Sequence, residues 1–454
     1  MPCEEGLTFF QITFTNFKAS ENAKIMHSKP STTRFRPLLK MAFFKVPFRQ
    51  IKYLFLSTFI IFGQQSWGYG GYLLKNLADA ETNIQAGPLK IHPGISMKMT
   101  QNDNIYTRPN KTMDTIYSGT GALLLGVGDR YSVNAGYAFD RNWFLLNPKE
   151  DYNAQHGFFR MNLLTNAGFF LKVKSSYVDT QDQRDRVDNP LRASHWANKA
   201  ETQLGYESES KKFMAEIFHT HDYLYYHQSQ NNALNQNNNT GGANLSYQIF
   251  SKTHLLGGYA YFYENYFERK TNIINNSNHK GTLGLKFDIT DNFYLLAKPG
   301  YIRKTFQEST LGSADLWIIE GTIGYKVPLF GKTEFLIDGG RTINRSSYFG
   351  STTQNIGLSS FYIENMGKAQ ISIQFTGKVA FFVSGTYRQR TYNSLTAGTL
   401  ARSDIVQNYD TGITYAMQKW LVASILYSYM HVNSNDNLRT IYSNIGYLSV
   451  TMAF

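Results

Sequence analysis

The chain has 454 residues, of which 42% are hydrophobic, 15% aromatic and only 17% charged, with 45 Lys and Arg against 33 Asp and Glu. This length fits either two or three soluble domains or one large closed barrel, so length does not decide the class. No segment after the first 68 residues is long and apolar enough to cross a bilayer as a helix. This excludes a helical membrane protein and leaves a β-barrel as the membrane alternative.

The beginning of the chain has the pattern of a secretory leader. Basic residues Lys45, Arg49 and Lys52 precede an apolar run at 53–63, and small residues at Ser66 and Gly68 follow it. This order predicts a signal peptide that is cut after Gly68. An anchoring helix is the alternative, but the apolar run is too short to span a membrane. The predicted division is a misplaced N-terminal extension at 1–40, the signal peptide at 41–68, a short periplasmic segment at 69–90 and an outer-membrane barrel at 91–454.

Removal of this leader also changes the charge and the cysteine count. Residues 1–68 carry nine basic and three acidic side chains, so the remainder holds 36 basic against 30 acidic residues. That mild excess is not the signature of a nucleic-acid-binding protein. The one cysteine, Cys3, lies in the extension, and a cysteine-free mature chain fits an oxidising compartment without disulfides.

From about Ile91 onward, strands of alternating apolar and polar residues are closed alternately by tight turns and by long polar loops. The predicted turns lie at 128–130, 165–167, 208–210, 251–253, 290–292, 330–332, 365–367 and 418–419. The predicted long loops lie at 103–113, 147–151, 181–198, 228–240, 268–276, 307–313, 345–353, 391–403 and 433–437. This asymmetry predicts an all-β fold, a transmembrane antiparallel up-and-down barrel of about eighteen strands, with sixteen as the alternative and both termini in the periplasm.

The two faces of the predicted strands differ in a way that favours a membrane barrel over a soluble sandwich. In the strand near 317–327, the residues from Trp317 to Val327 alternate with Glu320, Thr322 and Lys326. A soluble sandwich would place apolar side chains on its inner face, whereas here the charged residues share that face. About eighteen strands would enclose a lumen too wide for side chains to fill. Aromatic residues near strand ends, such as Tyr117 and Trp143, fit interfacial girdles, although ordinary β-propensity explains part of them.

Alternation also predicts which charged side chains line the lumen. The candidates are Lys98, Arg160, Lys172, Lys174, Glu216, Lys286, Lys298, Arg303, Glu320, Arg388 and Arg390. Basic side chains along a pore attract anions, and an acidic polysaccharide would fit such a pore. The alternative is that mixed charges only solvate and brace the wall. Tyr259, Tyr261 and Tyr263 are expected on the inner face, either stacking on sugars or packing.

The last residues form one more alternating strand. Leu448, Val450, Met452 and the terminal Phe454 share one face, and Tyr447, Ser449 and Thr451 share the other. An apolar face that ends on an aromatic residue is typical of an outer-membrane sorting signal. This strand is expected to close the barrel against the strand near Ile91.

The stretch from Gln85 into the first hairpins resembles the outer-membrane barrels of exopolysaccharide operons, the β-barrel porin 2 group. The similarity rests on Pro93 and Gly94, on Asp103, Asn104 and Tyr106, on Asp114, and on Tyr131 and Tyr137. The resemblance implies a bacterial outer-membrane barrel that takes part in export or biosynthesis of an extracellular polysaccharide. It brings no catalytic residues.

Signals for catalysis or metal binding are weak. His219 and His221 share a strand face, but alternation places them toward lipid, so interfacial histidines are the preferred interpretation over a metal pair. No Gly-x-Ser-x-Gly elbow, His-Glu-x-x-His helix or phosphate loop occurs. We therefore expect no enzyme activity, cofactor or metal, and no catalytic residues.

Three hypotheses follow. The first is a porin-like pore for a polysaccharide or another anion, the second a structural or adhesive barrel without transport, and the third an outer-membrane hydrolase. The expected partners are outer-membrane lipid and lipopolysaccharide, the barrel-assembly machinery, a polysaccharide and periplasmic export components, and no nucleic acid.

Overall fold

The fold is described from a computed structural model, which covers residues 84–128, 131–181, 193–267, 275–307, 313–346, 361–393 and 400–454, together with Leu73, Leu74 and Leu77. The predicted extension at 1–40 and signal peptide at 41–68 lie outside these residues. Within the described part of the chain, no helix is both long enough and apolar enough to cross a membrane.

The protein is a closed antiparallel β-barrel. Each strand from β2 to β18 pairs with the next one in sequence, and β19 pairs with β2, which confirms eighteen strands over sixteen. The additional strand β1 is a short hairpin partner of β2. The strands are β1 (Ile84–Ala86), β2 (Leu89–Asn102), β3 (Asp114–Val127), β4 (Ser132–Phe144), β5 (Tyr152–Leu164), β6 (Phe169–Thr180), β7 (His195–Glu207), β8 (Phe213–Tyr226), β9 (Gln236–Phe250), β10 (Thr253–Tyr266), β11 (Asn276–Asp288), β12 (Phe293–Phe306), β13 (Ser313–Val327), β14 (Lys332–Arg345), β15 (Phe361–Gln374), β16 (Val379–Tyr392), β17 (Ser403–Gln418), β18 (Leu421–Ser434) and β19 (Ile441–Ala453).

The outside of the barrel is apolar and exposed, and the inside is polar. On β2, Ile95 and Met97 are 57% and 71% exposed, whereas the alternate residues Ser96 and Thr100 are buried. The same inversion recurs on β13, where Trp317 and Ile319 are exposed and Thr322 is buried. Such a wide band of exposed apolar side chains is stable in a lipid bilayer and not in water. A closed barrel suits a bilayer because every backbone N–H and C=O of its strands is hydrogen-bonded to a neighbouring strand. The protein is a bacterial outer-membrane β-barrel.

Exposed aromatic residues border this band at both ends. Near the tight turns, the Trp420 and Phe454 rings stack at 5.3 Å. Near the long loops, Trp317 packs edge-on against Tyr301 at 5.3 Å. Such rings favour the headgroup region. Phe144, by contrast, points inward and is buried.

The short and long connections lie at opposite ends, which we name the short-turn rim and the long-loop rim. Seven predicted turns coincide with short-turn connections, where Gly128 and Gly331 adopt φ of +76° and +110°. The turn predicted at 365–367 is wrong, because these residues lie inside β15. The chain turns at 375–378 instead, where the Thr376 hydroxyl accepts hydrogen bonds from the backbone N–H groups of Lys378 and Val379. β2 begins and β19 ends at the short-turn rim. It remains a prediction that this rim faces the periplasm.

The seam between the last and first strands is closed at both rims. β19 pairs with β2 from Ile445↔Asn102 to Ala453↔Gly94, as the terminal strand predicts. At the long-loop rim, the Asp103 carboxylate accepts hydrogen bonds from the backbone and side-chain amides of Asn444, both at 2.7 Å. At the short-turn rim, the Phe454 N–H donates to the Pro93 carbonyl, and β1 pairs with the part of β2 that precedes Pro93.

The Asp103 clamp predicts a pH dependence of the seam. Burial raises the pKa of Asp103, but hydrogen bonds from Asn444 and Lys111 outweigh it and hold the pKa below 3.8. A depressed pKa in the folded state means that the ionised group stabilises the fold above pH 3.8, and that this contribution is lost as the pH falls further. We expect the stability advantage of the native protein over Asp103→Asn to shrink as the pH falls from about 5 to about 2. Thermal unfolding of both proteins across that pH range measures this difference in stability. A difference that does not change with pH would contradict a stabilising role of the ionised Asp103.

Three leucines lie inside the barrel close to the short-turn rim. Leu73, Leu74 and Leu77, here named the leucine trio, have helical backbone and are at most 1% exposed. Leu73 and Leu77 cluster with Leu124, against the lumen-facing residues Ala122, Phe158 and Ala453. Complete burial of a leucine contributes about 1.5–3 kcal/mol, so the trio is strongly held. This part of the predicted periplasmic segment at 69–90 therefore lies within the barrel.

The tips of β14 and β15 lean into the lumen. Pairing between β13 and β14 stops at Ile319↔Arg341, whereas β14 and β15 remain paired up to Arg345↔Phe361. Ile343 belongs to the outward-facing register of β14, yet it is buried against the lumen-facing Ile302 and Ile318. The Phe361 ring likewise stacks on the lumen-facing ring of Phe306 at 5.6 Å. The hairpin tip therefore covers the inner face of β12 and β13 and narrows the lumen near the long-loop rim.

Candidate functional site: the lumen wall

Most of the charged residues that alternation places in the lumen lie on inward-facing positions of the strands. These residues are Lys98, Arg160, Lys172, Lys174, Glu216, Lys286, Lys298, Glu320, Arg388 and Arg390. They are distributed around the wall and do not form one site. Which of them can meet a solute depends on their accessibility and on their partners.

The prediction that Arg303 lines the lumen is wrong. It lies between the buried, lumen-facing residues Ile302 and Lys304, so its own side chain points outward. Its side chain is 60% exposed, and its Nε lies 3.9 Å from Asp315 Oδ1 near the long-loop rim. Side chains alternate along an unbulged strand, so Lys298 and Arg303, five residues apart, cannot share a face.

The prediction that the tyrosines of β10 face the lumen is also wrong. Tyr259 and Tyr261 are 50% and 39% exposed on the outer face, and the buried Ala260 and Phe262 take the lumen side. The Tyr259 hydroxyl lies 2.7 Å from His279 Nδ1 on the neighbouring strand. Neither tyrosine can stack on a sugar inside the lumen.

Around β10–β17, lumen-facing cations lie directly beside carboxylates. Glu320 bridges two lysines, with its oxygens 2.6 Å from Lys280 Nζ and 3.1 Å from Lys298 Nζ. Three further pairs are buried or nearly so: Lys304–Glu264 at 3.0 Å, Arg390–Glu364 at 2.7 Å and Arg402–Asp404 at 2.6 Å. Charges that neutralise each other in this way brace the wall and offer little field to a passing ion.

A different arrangement occurs on β5, β6 and β7. The cationic cluster, as we name it, consists of Arg160, Lys172, Lys174 and Lys199 with two carboxylates, Glu201 and the Asp222 that lies directly across from Lys199 on β8. Lys174 is the direct cross-strand neighbour of Arg160 on one side and of Glu201 on the other. Four basic side chains against two acids leave this part of the wall with a net positive charge.

The cationic cluster is also accessible. Lys172 and Lys174 are exposed although they face the lumen. The Lys199 and Glu201 side chains are 42% and 30% exposed and lie 2.9 Å apart. Lys172 Nζ lies 4.7 Å from the Phe170 ring, a cation–π contact that holds the ammonium against the wall. An anion in the lumen could therefore approach several ammonium groups without displacing a buried partner.

The sequence did not indicate two members of this cluster. Lys199 and Glu201 follow directly on the loop predicted at 181–198, but β7 already begins at His195. The signal was present, because Lys199, Glu201 and Gln203 alternate with Ala200, Thr202 and Leu204. A loop rich in charged residues before this strand concealed where the alternation starts.

Among the described histidines, His156 lies buried inside the wall, and His219 and His221 lie on its outer face. His156 Nε2 lies 3.0 Å from Asp140, which accepts a hydrogen bond from Thr120, but His156 and Asp140 are only 1% and 2% exposed. No substrate reaches them in this arrangement. His219 and His221 lie on the outward-facing register of β8, where His221 Nδ1 contacts the Asn239 amide oxygen. Among the residues that the structure describes, no group of three or more possible metal ligands occurs.

Comparison with known proteins gives likenesses of strand arrangement. No family model matches the chain, and no curated protein matches it. Among solved structures it is similar to OpdQ of Pseudomonas aeruginosa, with 12% identity, 81% of this chain and 99% of that chain covered, and a TM-score of 0.47. It is similar to the outer membrane protein OpdK of Pseudomonas aeruginosa, with 11% identity, 80% and 99% coverage, and a TM-score of 0.46. OccAB3 of Acinetobacter baumannii gives 12% identity, 81% and 100% coverage, and a TM-score of 0.46.

Proposed function

We propose that this protein is an outer-membrane channel that admits anionic solutes in preference to cations. The observation that carries the proposal is the cationic cluster, in which Lys172 and Lys174 are accessible from the lumen and share their surroundings with Arg160 and Lys199. Positive side chains on a low-dielectric wall concentrate anions and repel cations. The ion pairs of β10–β17 provide the contrast, because their cations lie beside carboxylates.

The proposed cargo is an acidic polysaccharide or an oligomer of it. The support is the resemblance of the first hairpins to the barrels of exopolysaccharide operons, together with the chemistry of the cluster. A chain of uronic acids presents one carboxylate per sugar, and Lys172 and Lys174 lie two residues apart on one face, so they can meet neighbouring carboxylates. A small organic anion would use the same groups, and a blocking experiment distinguishes the two cargoes.

We expect the variant Lys172→Gln/Lys174→Gln to lose most of the anion preference. A unit charge about 7 Å from an ion in water changes its energy by about 0.6 kcal/mol, and salt screening reduces this to about 0.3 kcal/mol. The change has opposite signs for an anion and a cation, so each lysine should change the permeability ratio by about threefold. Single-channel recording in a gradient of about 0.1 M salt measures this ratio, because the Debye length there is about 10 Å. The matched variant Glu201→Gln, which removes the carboxylate 2.9 Å from Lys199, should raise the anion preference.

Arg303→Gln is the control, since it removes a cation that points outward. It should leave the permeability ratio unchanged. A native channel without anion preference, or equal effects of Arg303→Gln and Lys172→Gln/Lys174→Gln, would overturn the proposal. For the cargo, an oligomer of galacturonic acid should interrupt the native current while a neutral glucose oligomer of equal length should not. Interruption by both oligomers would count against an acidic cargo.

A further inference from the structure

Charged side chains on the outer surface of the strands lie toward the long-loop rim. Among the strand side chains that the structure describes, the charged ones in outward register are Arg141 on β4, Asp179 on β6, Arg303 on β12, Asp315 on β13 and Arg341 on β14. A charge that faces the hydrocarbon of a bilayer is unfavourable, whereas a charge near the interface costs little. These residues therefore mark the level of the lipid headgroups at the long-loop rim.

Two of these arginines flank a tryptophan on three adjacent strands, and we name Arg303, Trp317 and Arg341 the arginine–tryptophan row. Counted from the short-turn rim, Arg303 and Trp317 are the eleventh residues of β12 and β13, and Arg341 is the tenth of β14, so all three lie at nearly one height. The pairs Arg303↔Asp315 and Ile319↔Arg341 make Trp317 a diagonal neighbour of both arginines. Diagonal neighbours lie about 7–8 Å apart, so the two arginines are on the order of 15 Å apart at their Cα atoms.

The arginine–tryptophan row is exposed, and its charges are largely uncompensated. Trp317 is 73% exposed, and Arg341 is exposed beside the outward-facing Ile319. The Arg341 side chain has no hydrogen bond or ion pair with any residue that the structure describes. Arg303 contacts Asp315 only through Nε, at 3.9 Å, and an exposed pair of this length is weak. Both guanidinium groups can therefore accept a phosphate, which an arginine binds with two parallel hydrogen bonds.

We propose that the arginine–tryptophan row binds the headgroup of one lipopolysaccharide molecule in the outer leaflet. That headgroup is a glucosamine disaccharide with a phosphate at each end, and the row presents a cation at each end of a flat apolar ring. Each arginine pairs with one phosphate, and Trp317 packs against the sugars between them. A phospholipid with a single phosphate would leave one guanidinium without a counter-charge. The inference uses the predicted orientation, with the long-loop rim outside, and does not depend on what the channel conducts.

The site is tested by native mass spectrometry of the purified protein, refolded in detergent and incubated with an equimolar amount of lipid A. We expect the native protein to retain one lipid A, and Arg303→Gln/Arg341→Gln to retain about tenfold less, because both phosphates lose their charged partner. Arg141→Gln is the matched control and should leave retention unchanged. The Arg141 guanidinium also faces outward, but it already donates to Asn153 at 3.2 Å and lies 3.5 Å from Asp151. Heat-modifiable mobility on electrophoresis verifies that each variant forms a folded barrel.

Two other lipids identify what the row recognises. Lipid A without its phosphates should bind the native protein as weakly as lipid A binds Arg303→Gln/Arg341→Gln, and phosphatidylglycerol should be retained about tenfold less than lipid A. Equal retention of lipid A by the native protein and the double variant would overturn the site. Equal retention of lipid A and phosphatidylglycerol would overturn the choice of lipopolysaccharide, and so would a dimer that only the native protein forms. A missing anion preference would count only against the proposed function.

Discussion

Replacement of Asp404 by Asn is expected to lower the free energy of unfolding by about 3–5 kcal/mol, the range found when one partner of a buried ion pair is removed. Asp404 and Arg402 are both 0% exposed at their side chains. The guanidinium donates from Nε to Oδ1 at 3.0 Å and from Nη2 to Oδ2 at 2.6 Å, a two-pronged contact. Asn offers only one acceptor and no charge, so the Arg402 cation would stay buried without compensation.

The double variant Arg402→Met/Asp404→Leu should recover much of this loss, because it removes both charges together. The exposed pair Lys199–Glu201 supplies the comparison, since Lys199→Gln should cost less than about 1 kcal/mol. Denaturant unfolding in lipid vesicles, followed by the fluorescence of the four tryptophans after residue 68, measures all three variants. A loss below about 1 kcal/mol for Asp404→Asn would show that water reaches the pair when the chain is folded.

The second large effect is expected for Asp114→Ala. The Asp114 carboxylate is 0% exposed and accepts hydrogen bonds from the backbone N–H groups of Thr115, Leu146 and Asn147, at 2.7, 2.9 and 2.9 Å. The side-chain amide of Asn147 donates a fourth at 2.7 Å. Hydrogen bonds to a charged group contribute about 1.5–3 kcal/mol each, and groups left without a partner add to the loss. Bonds to one shared carboxylate are not additive, so we expect a total loss on the order of 4 kcal/mol, below the sum of the four.

Asp114→Asn keeps one acceptor oxygen and should cost about half as much. Asp291→Ala is the control, because that side chain is 100% exposed at a turn and should contribute little. The same unfolding assay applies. If Asp114→Ala and Asp291→Ala are equally harmless, the loop at 145–151 does not depend on the carboxylate.

The architecture was predictable because successive side chains of a membrane barrel face lipid and the lumen in turn. That separation forces the period of two, and loops of unequal length fix the number of strands and the pairing of the ends. The wrong predictions arose where a strand contains residue types that are typical of turns. Asn365 and Gly367 are typical turn residues, yet β15 continues through them, and a Cβ on Gly367 would meet nothing within 4 Å.

Two features of the lumen leave no periodic signal at all. The leucine trio is too short to be recognised as an amphipathic helix, and the wall residues that it contacts lie on β3, β5 and β19, which include the distant C-terminal strand. The inward lean of the β14–β15 tip depends on Ile343 leaving its expected side of the sheet. Both are contacts between elements, which single-sequence patterns do not encode.

The residues that carry the resemblance to the exopolysaccharide-operon barrels turn out to have structural roles. Asp103 clamps the seam, and the Asn104 amide donates to the carbonyls of Arg108 and Tyr442 at 2.7 and 3.0 Å. The Tyr106 hydroxyl donates to Glu150 at 2.8 Å. Asp114 holds the second long loop. Their chemistry therefore explains how the first loops are fixed to the barrel.

The closed seam also sets how such a chain can fold. Every other pairing in the ring joins neighbours in sequence and can form as a local hairpin, but Gly94 must find Ala453 at the opposite end of the chain. Closing so large a loop costs conformational entropy in a single step. Ring closure is therefore expected to be late and slow in folding. Until then, β2 and β19 are two open edges that can pair with other chains. A chain truncated before β19 would lose only the hairpin of β18 with β19, and its two open edges would still prevent it from spanning a bilayer.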